Sequence, residues 1–115
     1  MAKAYWHAEN SARRFGGTPE DYLPIHEKMD ESKSAHAEAT HRIVFHSAYG
    51  IFLVEDLFGT TITNSEGTKV CVRDVAEQHV LDDLGFIPSL SDWLKHVDLQ
   101  PWMTGMRTRK ITIVD

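Results

Sequence analysis

The segment "GTTITNSEGTKVCV", residues 59–72, is where the hydrophobic period of the chain changes from helical to alternating, and it confines the β structure to one place. "TTIT" and "KVCV" are rich in β-branched residues, and "NSEG" between them ends in a glycine that can supply the positive φ of a hairpin loop. The other periodic segments read as helices. Residues 3–14 form a short one that ends at Gly16 and Gly17. Thr18-Pro19-Glu20-Asp21 then reads as a helix start, with Thr18 as N-cap, Pro19 as the first helical residue and Asp21 as the acid at the third position. This second helix runs to about Asp30, with Pro24 able to shorten or kink it.

Residues 32–58 carry a long helical pattern, with Val44, Ala48, Ile51 and Phe58 on one stripe and Gly59 as its stop. Asp74-Val75-Ala76-Glu77 repeats the capping-box logic for a fourth helix that Gly85 ends and that must bury Val80, Leu81 and Leu84. Ser89 opens a last short helix, and "KITIVD" can add an edge strand to the hairpin. The expected fold is mainly α (α+β), a helical bundle with a long central helix and a small antiparallel β-hairpin, in a single domain over 1–115.

A net charge of −5 argues against duplex nucleic acid as a partner, although "MRTRK" is locally basic. No apolar run approaches the roughly 20 residues that span a bilayer, so no membrane partner is expected. The start "MAKAYWHAEN" lacks the apolar core of a signal peptide, and the one cysteine, Cys71, cannot form an internal disulfide; both point to the cytoplasm. Cys71 itself reads as a small buried strand residue. A helix of about 27 residues would be roughly 40 Å long, more than one small domain covers, and Phe45, Tyr49 and Phe52 widen its apolar face. A homo-oligomer burying Phe45 and Phe52 is the expected consequence.

Four of the seven histidines fall within residues 24–46. On one continuous helix, His41 lies seven residues before Ala48 and Glu55 seven after it, so two ionisable groups interrupt the apolar stripe some 21 Å apart. His36 and His46 are each displaced by about 140° from His41, which makes His36 solvated and His46 a surface or hydrogen-bonded core residue. His26 is the better companion for His41 if the second and third helices turn back on each other near residues 31–33, and Asp30 shares the face of His26. In "EQHVLDD", Asp83 follows His79 by four residues, a spacing at which the two can chelate one ion. The expected ligand set is His26, His41, His79 and Asp83. Imidazole and carboxylate donors without cysteine suit a divalent zinc, manganese or iron ion.

No histidine directly precedes an aspartate, "HEKMD" departs from the zinc-protease helix motif at Asp30, and neither a P-loop nor a dinucleotide fingerprint occurs. Lys33, Arg42 and Arg73 are the cations available to hold an anionic substrate beside such a site.

The combination "EDYLPIH", "DESK", "HR", "GIFLVEDLFGTTITNSEG" and "EQHVLDDLGFIPSLSDWL" resembles a small family of uncharacterised proteins met in bacterial and bacteriophage genomes, over most of residues 7–97. That resemblance carries no catalytic residue with it. It implies a phage or prophage setting, where small cytoplasmic proteins act on nucleotides, on nucleotide-derived immune signals or on host proteins.

The leading expectation is a metal-dependent hydrolase of a phosphoester or nucleotide. His26, His41, His79 and Asp83 would hold the ion, Asp30 would orient a ligand or act as general base, and Lys33, Arg42 and Arg73 would bind phosphate oxygens. One alternative is a non-catalytic accessory protein that sequesters a small nucleotide or blocks a host defence enzyme. Another is a structural module fastened by a histidine network.

Overall fold

In the computed structural model, residues 3–105 are described. Helix α1 spans Ala4–Phe15 and α2 spans Pro19–Asp30. Between them Gly16 and Gly17 take φ of 89° and 77°, a region where side chains are strained. A Cβ at Gly17 would also collide with the Asp21 carboxylate. That carboxylate is in demand: its Oδ2 accepts from Thr18 N (2.8 Å), completing the start anticipated for α2, and from Ser65 N and Oγ in the hairpin loop (3.0 and 2.9 Å). Asn64 fastens the same corner, donating to Tyr22 Oη at 3.2 Å, while Tyr22 donates to the Gly16 carbonyl at 2.6 Å. The hairpin is thus pinned to the α1–α2 turn.

The hairpin pairs β1 (Thr61–Thr63) antiparallel with β2 (Lys69–Cys71), Ile62 opposite Val70. Helix α4, Val72–Leu84, follows without a loop, and Val72 N still bonds to Thr60 O. Asp74 is therefore the third residue of α4 and not its N-cap, so the expected capping box is absent there; the ladder bond, and no side chain, sets the helix start. Gly85 ends α4 in the left-handed conformation, as expected. Ser89 and Asp92 cap the short α5, Leu90–Leu94, reciprocally. Cys71 is exposed, not buried. The expected C-terminal edge strand lies outside the described residues, and so does "MRTRK".

The long central helix does not form. Residues 31–47 contain two 3₁₀ turns, Glu31–Ser34 and Ala39–Ile43, and only Ala48–Phe58 is α-helical, here α3. Local side-chain bonds compete with the helix through this polar stretch. Ser32 Oγ donates to the His41 carbonyl at 3.0 Å, and Ser47, in extended conformation, caps α3 by accepting from Gly50 N at 3.0 Å. Gly50 packs so closely on the Phe45 backbone that no Cβ would fit. The stripe read from an unbroken helix holds only in its second half: Val44 and Ala48 are exposed, whereas Ile51 is buried, Phe58 packs against the core, and α3 also buries Gly50 and Val54. Of the grounds for a second chain, the length of the helix falls away, because it spans only Ala48–Phe58, and Phe45 packs against this chain's own core, while Tyr49 and Phe52 are exposed in the single chain.

Ala8, Tyr22, Ile25, Met29, Ile51, Val54, Val70, Val72, Val75, Ala76 and Val80 form the core. On α4 the buried face runs through Val72, Val75, Ala76, His79 and Val80, so Leu81 is exposed and His79 points inward. Among the described residues no helix is long and apolar enough to cross a membrane.

Candidate metal centre

One end of the helical core is polar. Helix α1 brings His7 and Ser11, α2 brings His26 and Asp30, and α4 brings Gln78, His79, Asp82 and Asp83, each set spaced by one turn so that it shares a helical face. The irregular segment 31–47 adds His41, Arg42 and His46. His7, His26, His46 and His79 have no exposed surface and His41 has 2%. The rings of His7 and His79 stack with centroids 3.8 Å apart, His26 lies 5.1 Å from His79 and 5.5 Å from His7, and His46 meets His79 edge-on at 4.9 Å. Five buried imidazoles in one place are costly unless their nitrogens find partners.

Two carboxylates supply them. Asp83 Oδ2 lies 2.9 Å from His46 Nε2 and 3.4 Å from His79 Nε2, and its Oδ1 lies 3.2 Å from His7 Nε2 and 3.7 Å from Arg42 Nη2. Asp30 Oδ1 lies 3.2 Å from His79 Nε2 and 3.8 Å from His46 Nε2. One oxygen each from Asp30 and Asp83 and one nitrogen each from His46 and His79 thus lie within 4.8 Å of one another. A tetrahedral ion with bonds of about 2.0–2.1 Å places its ligand atoms about 3.4 Å apart, and the four cross-distances above straddle that value.

The electrostatics match. Burial alone would raise the Asp83 carboxyl, but hydrogen bonds with His46, His7 and His79 outweigh it and hold it far below the usual carboxylate range. Asp30 is lowered too, burial again being overcome, here by the hydrogen bond and charge of His79 and by the charge of His46. For His79 burial favours the neutral ring, yet its contacts with Asp30 and Asp83 raise it above the ordinary value. Burial lowers His46 and His41, and burial together with the neighbouring His79 and His7 pushes His26 down to about 2. The two carboxylates are ionised at neutral pH, and the groups that hold them so are the imidazoles of His46, His79 and His7.

The residues expected from sequence are distributed unevenly. His79 and Asp83 belong to the four-atom group, and Asp30 joins them there instead of standing outside as an orienting group. His26 is in the cluster, but its Nδ1 faces His79 Nδ1 at 2.9 Å and not the carboxylates. His41 lies edge-on to His46 at 6.1 Å and is bonded to Ser32, outside the group. Arg42 reaches Asp83, whereas Lys33 is exposed and Arg73 pairs with Glu55 at the far end of α4, roughly 15 Å along the axis from Asp83. His7, Ser11 and Gln78 have no role in the site expected from sequence, and His46, expected as a surface or hydrogen-bonded core residue, is the latter and also joins the four-atom group. Its place in that group is invisible to a reading that assumes an unbroken helix through residue 58. His7 and Ser11 had a signal: with Ala8 they occupy one face of an amphipathic helix.

Neither the curated proteins nor the solved structures compared contain a match to this chain. One family model, described as a domain of unknown function (DUF6915), matches residues 2–103, and the chain belongs to that family, as the resemblance to an uncharacterised group implied.

Proposed function

We propose that the chain binds one divalent transition metal ion between Asp30, His46, His79 and Asp83 and uses it to hydrolyse a phosphoester or nucleotide. The observation that carries this reading is the convergence of four ligand atoms from α2, α4 and the 31–47 segment to near-tetrahedral spacing. A divalent cation there supplies Lewis acidity, polarising a phosphoryl oxygen and acidifying water. Asp30 is the most solvent-accessible of the four, with 15% of its side chain exposed, so substrate approaches from its side. Its second carboxylate oxygen can take the proton from attacking water. The Nε of Arg42 and the Nε2 of His41 are buried without hydrogen-bond partners, and a bound oxyanion and its water would satisfy them. The guanidinium fork of Arg42 suits two phosphoryl oxygens. A free thiol at Cys71 fits the reducing cytoplasm.

A second reading, a centre that only fastens α2 and α4 to the 31–47 segment, is favoured by the complete burial of both ligand imidazoles. Elemental mass spectrometry of protein purified without a histidine tag, followed by assays on bis(p-nitrophenyl) phosphate and on nucleotides, separates the two. Turnover that depends on metal, disappears in Asp83→Asn and weakens in Arg42→Ala supports hydrolysis. Stoichiometric metal without turnover supports the fastening role, and absence of metal overturns both.

A further inference from the structure

Whether His79 can serve as a ligand through Nε2 depends on which of its nitrogens carries the proton, and a chain of hydrogen bonds through three other residues decides this. Gln78 Nε2 lies 3.2 Å from the His7 carbonyl and 2.7 Å from Asp82 Oδ2. Both are acceptors, so this end of the amide is the NH₂ and the reverse orientation would set oxygen against oxygen. Gln78 Oε1 therefore faces Ser11 Oγ and takes its single proton. Ser11 has only lone pairs left for His26 Nε2, 2.8 Å away, so His26 must donate from Nε2.

A neutral His26 with its proton on Nε2 has a bare Nδ1, and no carboxylate is hydrogen-bonded to this ring to favour a second proton. His26 Nδ1 and His79 Nδ1 are 2.9 Å apart, which demands one proton between them, and only His79 can provide it. With Nδ1–H committed in this way, His79 Nε2 is the nitrogen left to face Asp30 Oδ1 and Asp83 Oδ2, at 3.2 and 3.4 Å. In the metal-free protein a second ring proton on Nε2 bonds to these carboxylates, and a bound cation takes that proton's place.

We propose that Gln78, Ser11 and His26 form a hydrogen-bond relay that locks His79 as the Nδ1–H tautomer and so presents its Nε2 to the metal ion. The relay rests on the metal-binding reading and makes it more specific. His7, His26 and His79 also bring three nitrogens within reach of one ion. The relay disfavours that alternative, because it holds the Nδ1 atoms of His26 and His79 to each other and ties His26 Nε2 to Ser11. Ser11, Gln78 and His26 are positioning residues here, acting on the ion only through His79.

The test is ¹⁵N–¹H two-bond correlation spectroscopy of the imidazoles, with and without one equivalent of zinc. In both states the relay requires His26 protonated at Nε2 and bare at Nδ1, and His79 protonated at Nδ1; on zinc addition His79 Nε2 takes the metal-bound shift together with His46 Nε2, and neither nitrogen of His26 does. His79 bare at Nδ1, or His26 protonated at Nδ1, would overturn it, and this is read from the unmutated protein whether or not any variant folds. Ser11→Ala removes the acceptor for His26 and should weaken zinc binding about 10–100-fold, with Ser11→Thr, which keeps the hydroxyl, restoring most of it. Unchanged affinity and tautomers in Ser11→Ala would also overturn the relay. Failure of the unmutated protein to bind zinc would instead remove the metal reading, while the two tautomers in the metal-free protein still decide the relay.

Discussion

His46 Nε2 and Asp83 Oδ2 lie 2.9 Å apart across 37 residues of chain, and this contact ties the irregular segment 31–47 to helix α4. Both side chains are almost wholly buried. Removing the imidazole leaves a desolvated carboxylate that keeps only His79, His7 and Arg42. Replacing one partner of a buried charged pair costs up to about 3–5 kcal/mol. His46→Ala should approach that loss in urea denaturation and should also abolish metal binding, whereas His36→Ala, in the exposed stretch between the two 3₁₀ turns, should stay within about 0.5 kcal/mol of the parent. Equal midpoints for the two variants would contradict the assignment.

His41→Ala separates stability from ligation. The ring is buried and bonded to Ser32, yet lies outside the four-atom group. The expected outcome is a lowered unfolding midpoint with metal stoichiometry unchanged, measured on one preparation. Loss of the metal in this variant would move His41 into the ligand set.

The response to pH follows from the shifted groups. His26, His46 and His41 have folded values below their ordinary one, so the unfolded chain binds more protons as pH falls through about 6.5, and stability declines with it. For His26 that decline continues to about 2. Asp83 and Asp30, also lowered, contribute stability that is present above about 4 and is lost as pH falls below it. His79 opposes the trend: its raised value stabilises the fold below about 6.5, a contribution lost as pH rises through the folded value. Thermal melts in chelator should therefore show Tm falling from pH 6.5 to 4, and His26→Gln should flatten that slope. A Tm that rises on acidification would show that these imidazoles are not held neutral.

The fold was legible wherever local chemistry decides the outcome. Caps and stops marked by Thr18, Gly85 and Ser89, and the hairpin around "NSEG", rest on interactions a few residues long, and the structure has them where the pattern puts them. Residues 31–47 carry a helical period that Ser32, Ser47 and the close approach at Gly50 override, and none of the three alters that period. The site depends on the same departure. The pairs His26–Asp30 and His79–Asp83 stand out at a spacing of four, but the place of His46 depends on a chain reversal, and the parts of Ser11 and Gln78 exist only through contacts 15 and 67 residues long.

Two glycines offer a test of the turn that aligns α1 with α2. Gly17 combines a φ of 77° with a collision between any Cβ and Asp21, whereas Gly67, at 83°, has open space around it. Gly67→Ala should cost about 1–2 kcal/mol from the left-handed backbone alone. Gly17→Ala should exceed it, because Asp21 must also give up part of its hold on Thr18 and Ser65. Equal costs would mean that the Asp21 corner adjusts freely.

The most direct measurement is anomalous diffraction from crystals grown with zinc or manganese, collected at the metal edge. A single peak is expected about 2.0–2.2 Å from His46 Nε2, His79 Nε2 and one oxygen each of Asp30 and Asp83. A peak between His7, His26 and His79, or no peak within this cluster, would contradict the account.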